Sequence, residues 1–156
     1  YDELFLPYKN KELTILEIGI CHGGSLILWN DYFTNSKIIG VDPNDDTAPI
    51  LKTYPRITTK FVDAYNKDFV NTLPELDIVV DDGPHSLESM IAFIKLYTTV
   101  LSDDGILVIE DVQSIEWVNK LKEQVPPHLQ EYIKVFDLRQ NKNRYDDILF
   151  VIDKSV

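Results

Sequence analysis

The chain of 156 residues has few cysteines, few basic residues and no long apolar run. Cys21 is its single cysteine, which excludes an internal disulfide and suits a reducing compartment such as the cytoplasm. The 15 Lys and Arg are outnumbered by 26 Asp and Glu, and the net charge of −11 argues against nucleic acid or an anionic membrane as a partner. No apolar run approaches the roughly 18 residues that a membrane-spanning helix needs.

The length and composition are typical of one globular domain. Hydrophobic residues make up 44% of the chain, enough for a core of ordinary size. We therefore expect residues 1–156 to form a single domain. Because the chain opens on Tyr1 rather than methionine, we also expect this domain to belong to a longer protein.

Short apolar segments alternate with helical segments along most of the chain. Five segments, each followed by a glycine or an acid, predict strands at 13–18, 37–41, 56–62, 77–81 and 105–109. The apolar run within 77–81 predicts a strand buried on both faces, which is typical of a parallel sheet. Helices are predicted at 25–33, about 46–54, 86–101 and 114–124. Such alternation indicates a doubly wound parallel sheet.

The last two predicted strands, 132–138 and 147–152, are joined by a polar loop without a helix. Strands joined in this way pair in antiparallel fashion, so we place them at one edge of the sheet. The predicted fold is α/β and Rossmann-like, with a seven-stranded, mostly parallel sheet, an antiparallel edge pair and helices on both faces.

Residues suited to holding a ligand follow the first three predicted strands. The loop GICHGGS has glycines at Gly19 and Gly23, a spacing that differs from G-x-G-x-x-G but still allows sharp turns and a close ligand. Asp42 ends the second strand, where a carboxylate can hold a ribose diol. Asp63 ends the third and can accept a hydrogen bond from an adenine amino group. Alternatively, these residues only form turns and polar strand ends.

Acids and a histidine follow the fourth and fifth predicted strands. Asp81, Asp82 and His85 come after the first of these strands, and the pair Glu110 and Asp111 after the second. Side chains alternate along a strand, so only one of Asp81 and Asp82 is expected to bind a metal. Clustered carboxylates repel unless a cation joins them, and oxygen ligands favour a hard ion such as Mg²⁺ or Mn²⁺. The alternatives are a helix-entry histidine, a helix cap and solvated loop acids.

The motifs LEIGICHGGS, VDPN and FVDA, in this order, resemble the successive motifs of class I S-adenosylmethionine-dependent methyltransferases. The resemblance covers roughly residues 13–112 and implies S-adenosylmethionine as cofactor. It places the glycine loop at the methionine part, the second-strand acid at the ribose and the third-strand acid at the adenine. The acid in the first strand either touches the ligand or only water. The implied cofactor-binding residues are Glu17, Gly19, Gly23, Ser25, Asp42 and Asp63.

The segments LDIVVDDGPH and GILVIEDV resemble the metal-binding segments of catechol-type and macrolide-sugar-type O-methyltransferases. The resemblance implies that Asp82, Glu110 and Asp111 bind the metal ion and that His85 is the base. Asp81, close by, is expected to hold the methionine amino group. Catechol-type enzymes have lysine where His85 stands, so the D-G-x-H form is closer to the sugar enzymes.

The predicted function is therefore metal-dependent methyl transfer to the hydroxyl of a small sugar substrate, which is free, nucleotide-linked or part of a glycan. A histidine can take the hydroxyl proton near neutral pH. The alternatives are a methyltransferase for a phenol or an amine, and a non-catalytic cofactor-binding module of a multidomain protein. Methyltransferases of the resembled kind place helices or a loop before the first strand to cover the substrate, and only 12 residues precede Leu13 here. We therefore expect a removed segment, a second copy of the chain or a companion domain to complete the substrate site.

Overall fold

The computed structural model describes residues 1–155 and contains one seven-stranded sheet with helices around it. The strands are β1 Thr14–Ile18, β2 Lys37–Asp42, β3 Ile57–Phe61, β4 Leu76–Asp81, β5 Leu101–Ile109, β6 Ile133–Asp137 and β7 Ile148–Asp153. The α-helices are α1 Asp2–Phe5, α2 Gly24–Tyr32, α3 Lys67–Val70, α4 Leu87–Tyr97, α5 Trp117–Gln124 and α6 Arg139–Lys142. Short 3₁₀ helices cover Leu6–Tyr8, Pro49–Thr53 and Pro127–Tyr132.

The strand order is β3-β2-β1-β4-β5-β7-β6. Strands β1 to β5 are parallel, and β7 lies antiparallel between β5 and β6. The predicted fold class, with its antiparallel edge pair, is confirmed. The chain reverses its winding direction between β1 and β4, which are neighbours, and the crevice at such a switch point is where α/β proteins bind ligands.

The central strands β1 and β4 are mostly apolar because both faces of the sheet are covered. In β1, Leu16 packs in one core cluster and Ile15 in the cluster on the opposite face. In β4, Val79 belongs to the first cluster, and Ile78 and Val80 to the second. This two-sided burial explains why these strands read as continuous apolar runs rather than as alternating patterns.

The helix predicted over 86–101 is shorter in the structure, and the strand after it is longer. Helix α4 ends at Tyr97, where the hydroxyls of Thr98 and Thr99 donate to the carbonyl oxygens of Ile94 and Leu96. These bonds add to those that the backbone N–H groups of Thr98 and Thr99 make to the same two carbonyl oxygens at the end of the helix. Strand β5 consequently begins at Leu101, four residues before the predicted start at 105.

The residues before β1 are helical and contribute to the core. Phe5 and Tyr8 are 1% and 3% exposed, so this segment is anchored to the domain. The helix expected at about 46–54 is a 3₁₀ turn at Pro49–Thr53. Across residues 1–155, no helix combines the length and the apolar character that crossing a membrane requires.

The cap at the start of α4, which follows directly after His85, can be tested by mutation. The hydroxyl of Ser86 accepts from the backbone N–H of Ser89 at 3.0 Å, and the Ser89 hydroxyl accepts in return from the N–H of Ser86 at 3.2 Å. Ser86→Ala is expected to lower the free energy of unfolding by about 1 kcal/mol, measured by urea denaturation. Thr53→Ala, at an exposed hydroxyl, should change it by less than about 0.5 kcal/mol. Equal effects would contradict the cap.

Candidate active site

A cavity of about 530 Å³ opens at the carboxyl ends of β1 to β4. This volume is in the range of small-molecule binding sites, roughly 300–1,000 Å³. Residues from all four strand ends line it, including Gly19, Asp42, Asp63, Tyr65, Asp82 and His85. The structure thus brings three of the predicted cofactor residues together with the two predicted reacting residues.

The loop after β1 can pass close to the turn after β4 because of Gly19. This glycine has φ +83°, in the left-handed region, and a Cβ added to it would collide with the carbonyl oxygen of Asp82. The backbone N–H of Asp82 donates to the carbonyl oxygen of Ile18 at 3.0 Å. Gly23, with φ +86°, instead faces Leu51 and lies outside the lining of the cavity.

The two acids at the ends of β2 and β3 organise the wall of the cavity. Asp42 Oδ2 accepts from the N–H groups of Ile20 and Cys21 at 3.2 and 3.3 Å, which holds the glycine loop in place. Asp63 Oδ1 accepts from the N–H of Tyr65 at 2.9 Å. Both carboxylates line the cavity, and their contacts with ribose and adenine stay predictions.

Glu17 and Ser25 bond to each other behind the glycine loop. Glu17 is 2% exposed and accepts from the Ser25 hydroxyl at 2.5 Å and from the indole N–H of Trp29. Burial raises the pKa of Glu17 to about 7, although the two donors act in the opposite direction. Neither residue lines the cavity, so these contacts join β1 to α2, and the predicted cofactor role of both residues stays a prediction.

A second cavity, of about 440 Å³, contains the other predicted metal ligands. Asp82 lines both cavities, and Glu110 and Asp111 line the second. Ligand atoms of Asp82, His85 and Asp111 all lie within 4.8 Å of one another, and His85 Nε2 is 3.6 Å from Asp82 Oδ1. Two carboxylates and an imidazole at this spacing can surround a single divalent ion.

Glu110 makes a different contact. Its carboxylate accepts from the Tyr1 hydroxyl, while burial and the nearby Asp111 raise its pKa to about 7. Asp111 Oδ2 is paired with Arg144 Nη2 at 3.2 Å. The structure therefore places Glu110 in the same cavity as Asp82 and Asp111 but outside the close group, and its assignment as a ligand stays a prediction.

Strained backbone is concentrated at this site. Four non-glycine residues among 1–155 have positive φ, and three of them are Cys21, His85 and Asp111, with φ of +46°, +55° and +48°. Such conformations cost free energy and cluster at functional sites. No sequence signal marks these three positions.

Asp81 is buried and lines neither cavity. It is 3% exposed, and its Oδ1 accepts from the Tyr65 hydroxyl at 2.6 Å and from the N–H of Gly83 at 3.3 Å. Burial raises the pKa of Asp81 to about 6, and burial together with the Asp81 charge raises that of Tyr65 well above its usual value. The predicted contact of Asp81 with a methionine amino group stays a prediction. Sequence reasoning missed Tyr65, although its position two residues after Asp63 was a usable signal.

The chain matches known methyltransferase sequences. A family model described as "Methyltransferase domain" matches residues 16–112. The chain is 33% identical over 129 residues to an 8-demethyl-8-alpha-L-rhamnosyl tetracenomycin-C 2'-O-methyltransferase of Streptomyces olivaceus, covering 75% of the chain and 33% of that protein. It is 32% identical over 128 residues to a demethylmacrocin O-methyltransferase of Streptomyces fradiae, covering 75% and 32%. The chain thus spans about a third of the length of these relatives.

A similar fold is found in a solved methyltransferase from the mycinamycin biosynthetic pathway, determined in complex with Mg, SAH and mycinamycin VI. The two superpose with a TM-score of 0.73 at 22% sequence identity, over 98% of this chain and 48% of that one. At this identity the likeness establishes the fold.

The contact between Gly19 and Asp82 can be tested by adding one methyl group. Gly19→Ala places a Cβ in a left-handed backbone, at a cost of roughly 1–2 kcal/mol, and against the Asp82 carbonyl, so we expect a total loss of more than about 2 kcal/mol in unfolding free energy. Gly24→Ala is the matched control, since a Cβ there meets nothing within 4 Å. In denaturant unfolding the control should be neutral or slightly stabilising, and similar midpoints for the two variants would argue against the contact.

The buried carboxyl of Glu17 predicts a pH dependence of stability. An unfolded glutamate loses its proton near pH 4.5, whereas the folded protein retains the Glu17 proton until about pH 7. The folded state therefore binds more protons between these values. The contribution of the Glu17 carboxyl to the free energy of unfolding is fully present below pH 4.5. It falls by on the order of 3 kcal/mol as the pH rises through 7.

Urea unfolding between pH 4.5 and 8 should show a shallower decline in stability for Glu17→Gln than for the parent protein. Asp81 and Glu110, whose pKa values are also raised, account for the slope that remains. Glu75→Gln, at an exposed position, should retain the parent slope. Parallel curves for Glu17→Gln and the parent would rule out this role of Glu17.

Proposed function

The chain belongs to the methyltransferase domain family, which confirms the resemblance drawn from its motifs, and we propose that it methylates a sugar hydroxyl with S-adenosylmethionine and a divalent metal ion. The observation that carries this proposal is the meeting of the two cavities at Asp82. One cavity has the features of a cofactor site, and the other is lined by carboxylates. A group placed in the first cavity is therefore next to a group held in the second.

The first cavity fits S-adenosylmethionine, which supplies a methyl group on a positively charged sulfur. The backbone at Gly19 has no side chain to obstruct a ligand, and Asp42 and Asp63 present carboxylates for the ribose and the adenine. The SAH bound to the solved mycinamycin-pathway methyltransferase supports this choice. Acidic walls also favour a cationic cofactor over an anionic one.

The second cavity fits Mg²⁺ or Mn²⁺, which supplies Lewis-acid polarisation of the acceptor hydroxyl when bound. Asp82 and Asp111 present hard oxygen donors close to each other, and Glu110 lines the same cavity. We assign these three carboxylates as the ligands. The Mg in the solved mycinamycin-pathway enzyme supports the assignment. Arg144 pairs with Asp111 and compensates part of the carboxylate charge, and the neutral Tyr1 hydroxyl donates to Glu110.

His85 is assigned as the base. In the transfer, the acceptor oxygen forms a bond to the methyl carbon, the sulfur–carbon bond breaks, and the hydroxyl proton moves to the His85 imidazole. Asp82 Oδ1, 3.6 Å from His85 Nε2, stabilises the imidazolium that results. His85, whose backbone is left-handed, lines the first cavity, where the methyl donor would bind.

The choice of a sugar as acceptor is supported by the Streptomyces olivaceus relative, whose name describes 2'-O-methylation of a rhamnosyl tetracenomycin. A phenol or amine acceptor, or a module that binds the cofactor without catalysis, remains the alternative. Because the chain spans about a third of those relatives, we propose that further polypeptide, from another domain or a second copy, completes the acceptor pocket. Comparing methyl transfer to vicinal diols, phenols and amines separates the acceptor classes.

The proposal is tested by titration calorimetry with S-adenosylmethionine and with Mg²⁺, separately and together. We expect both to bind, and Asp82→Asn to lose the saturable Mg²⁺ site while cofactor affinity is retained. His85→Asn should lower the rate of methyl transfer by about 100-fold or more and leave cofactor binding intact. Asparagine is preferred to alanine here because it tolerates the left-handed backbone.

Asp103→Asn is the matched control, since this aspartate is exposed and lies near the start of β5, away from the site. It should bind both ligands like the parent protein. Cofactor binding without a metal site would limit the function to metal-free chemistry. A protein that binds no S-adenosylmethionine would refute the proposed transferase.

A further inference from the structure

Tyr65 is a side chain shared by the cofactor cavity and the turn that carries the reacting residues. It lines the first cavity, and its hydroxyl donates to Asp81 Oδ1 at 2.6 Å. The same carboxylate oxygen accepts from the N–H of Gly83 at 3.3 Å. A Cβ added to Gly83 would collide with the Tyr65 hydroxyl, so the hydroxyl fills the space that the glycine leaves open.

We propose that Tyr65 is a positioning residue for the turn 81–85, and that its hydroxyl, acting through Asp81 and Gly83, sets the directions of Asp82 and His85. The inference rests on the proposed function, because it gives Tyr65 a role in placing a metal ligand and a base. Tyr65 itself takes no part in the transfer.

The turn needs such support because its conformation is unfavourable by itself. His85 has φ +55°, which a non-glycine residue keeps only when the surrounding structure holds it. The turn is held from one side by the bond from the Asp82 N–H to Ile18. Within residues 1–155, the donors to the buried Asp81 side chain are Tyr65 and Gly83. Without the Tyr65 hydroxyl, a buried carboxylate retains one long hydrogen bond.

The position of Tyr65 also connects the turn to the cofactor. The backbone N–H of Tyr65 donates to Asp63, the acid proposed to contact adenine. One short segment, 63–65, therefore presents a cofactor contact and the hydroxyl that fixes the turn. A ligand that orders this segment would order the reacting turn as well.

The test is Tyr65→Phe, which keeps the ring and removes only the hydroxyl. Loss of a group that orients metal ligands typically costs about 10-fold to 100-fold in metal affinity or activity, and we expect losses of this size in kcat and in the affinity for Mg²⁺. The KM for S-adenosylmethionine should change by less than about 3-fold, because the cavity wall is retained.

Tyr8→Phe is the matched control. Tyr8 is 3% exposed, and its hydroxyl donates to the carbonyl oxygen of Asp104 at 3.0 Å, toward the opposite edge of the sheet. Tyr8→Phe also removes one hydrogen-bonded tyrosine hydroxyl, but it should leave kcat, Mg²⁺ affinity and KM unchanged. Similar losses in the two variants would overturn the inference, since they would reflect stability alone.

A second measurement separates this inference from the proposed function. Hydrogen exchange of the Gly83 amide, in the protein without cofactor or metal, should be faster in Tyr65→Phe and unchanged in Tyr8→Phe. In a double-mutant cycle, Tyr65→Phe should have little further effect on Gly83 exchange once Asp81→Ala has removed the shared acceptor oxygen. If the parent protein binds neither ligand, the proposed function fails, while the exchange experiment still decides whether Tyr65 holds the turn.

The results that overturn the inference are specific. Parent-like Gly83 exchange in Tyr65→Phe would show that the hydroxyl does not hold the turn. Faster exchange with parent-like kcat and Mg²⁺ affinity would show that the turn does not need it. If Tyr65→Phe loses only cofactor affinity, Tyr65 lines the cofactor cavity but does not position the turn.

Discussion

The architecture of the site depends on one backbone contact, where Gly19 lies against the carbonyl group of Asp82. The contact is possible because β1 and β4 are adjacent at the point where the sheet reverses its winding, so both chains leave the same edge side by side. Asp42 holds the glycine loop from the other side through two backbone N–H groups. The proposed cofactor site and the reacting turn thus share one wall, and neither can shift without moving the other.

Buried acids are the second constraint. Glu17, Asp81 and Glu110 all have raised pKa values because burial disfavours their charged forms. Each is held by hydroxyl, indole or backbone donors rather than by a buried cation. The excess of acids behind the net charge of −11 is therefore partly concentrated around the site. A divalent ion among Asp82, Glu110 and Asp111 would relieve the repulsion between groups that Arg144 neutralises only in part.

The proposed cofactor contacts and the proposed reacting groups come from different segments of the chain, as the proposed chemistry requires. The proposed cofactor contacts Gly19, Asp42 and Asp63 line the first cavity. The proposed reacting groups lie in the turn after β4, which also lines that cavity, and in the acidic pair after β5. The turn after β4 is anchored by Ile18 and Tyr65 and is followed immediately by the Ser86 cap. Strained residues such as His85 are thereby held between rigid elements.

The sequence by itself determined the strands, their winding and the edge of the sheet where Asp42, Asp82 and Asp111 would meet. Buried parallel strands must be continuously apolar, and their carboxyl ends share one edge, so these features follow from local pattern and connectivity. Only the tertiary structure decided where individual side chains point. Glu17 turns to Trp29 instead of a cavity, and Tyr65 reaches Asp81 across the turn. Such contacts depend on packing between segments far apart in the chain, which no local pattern records.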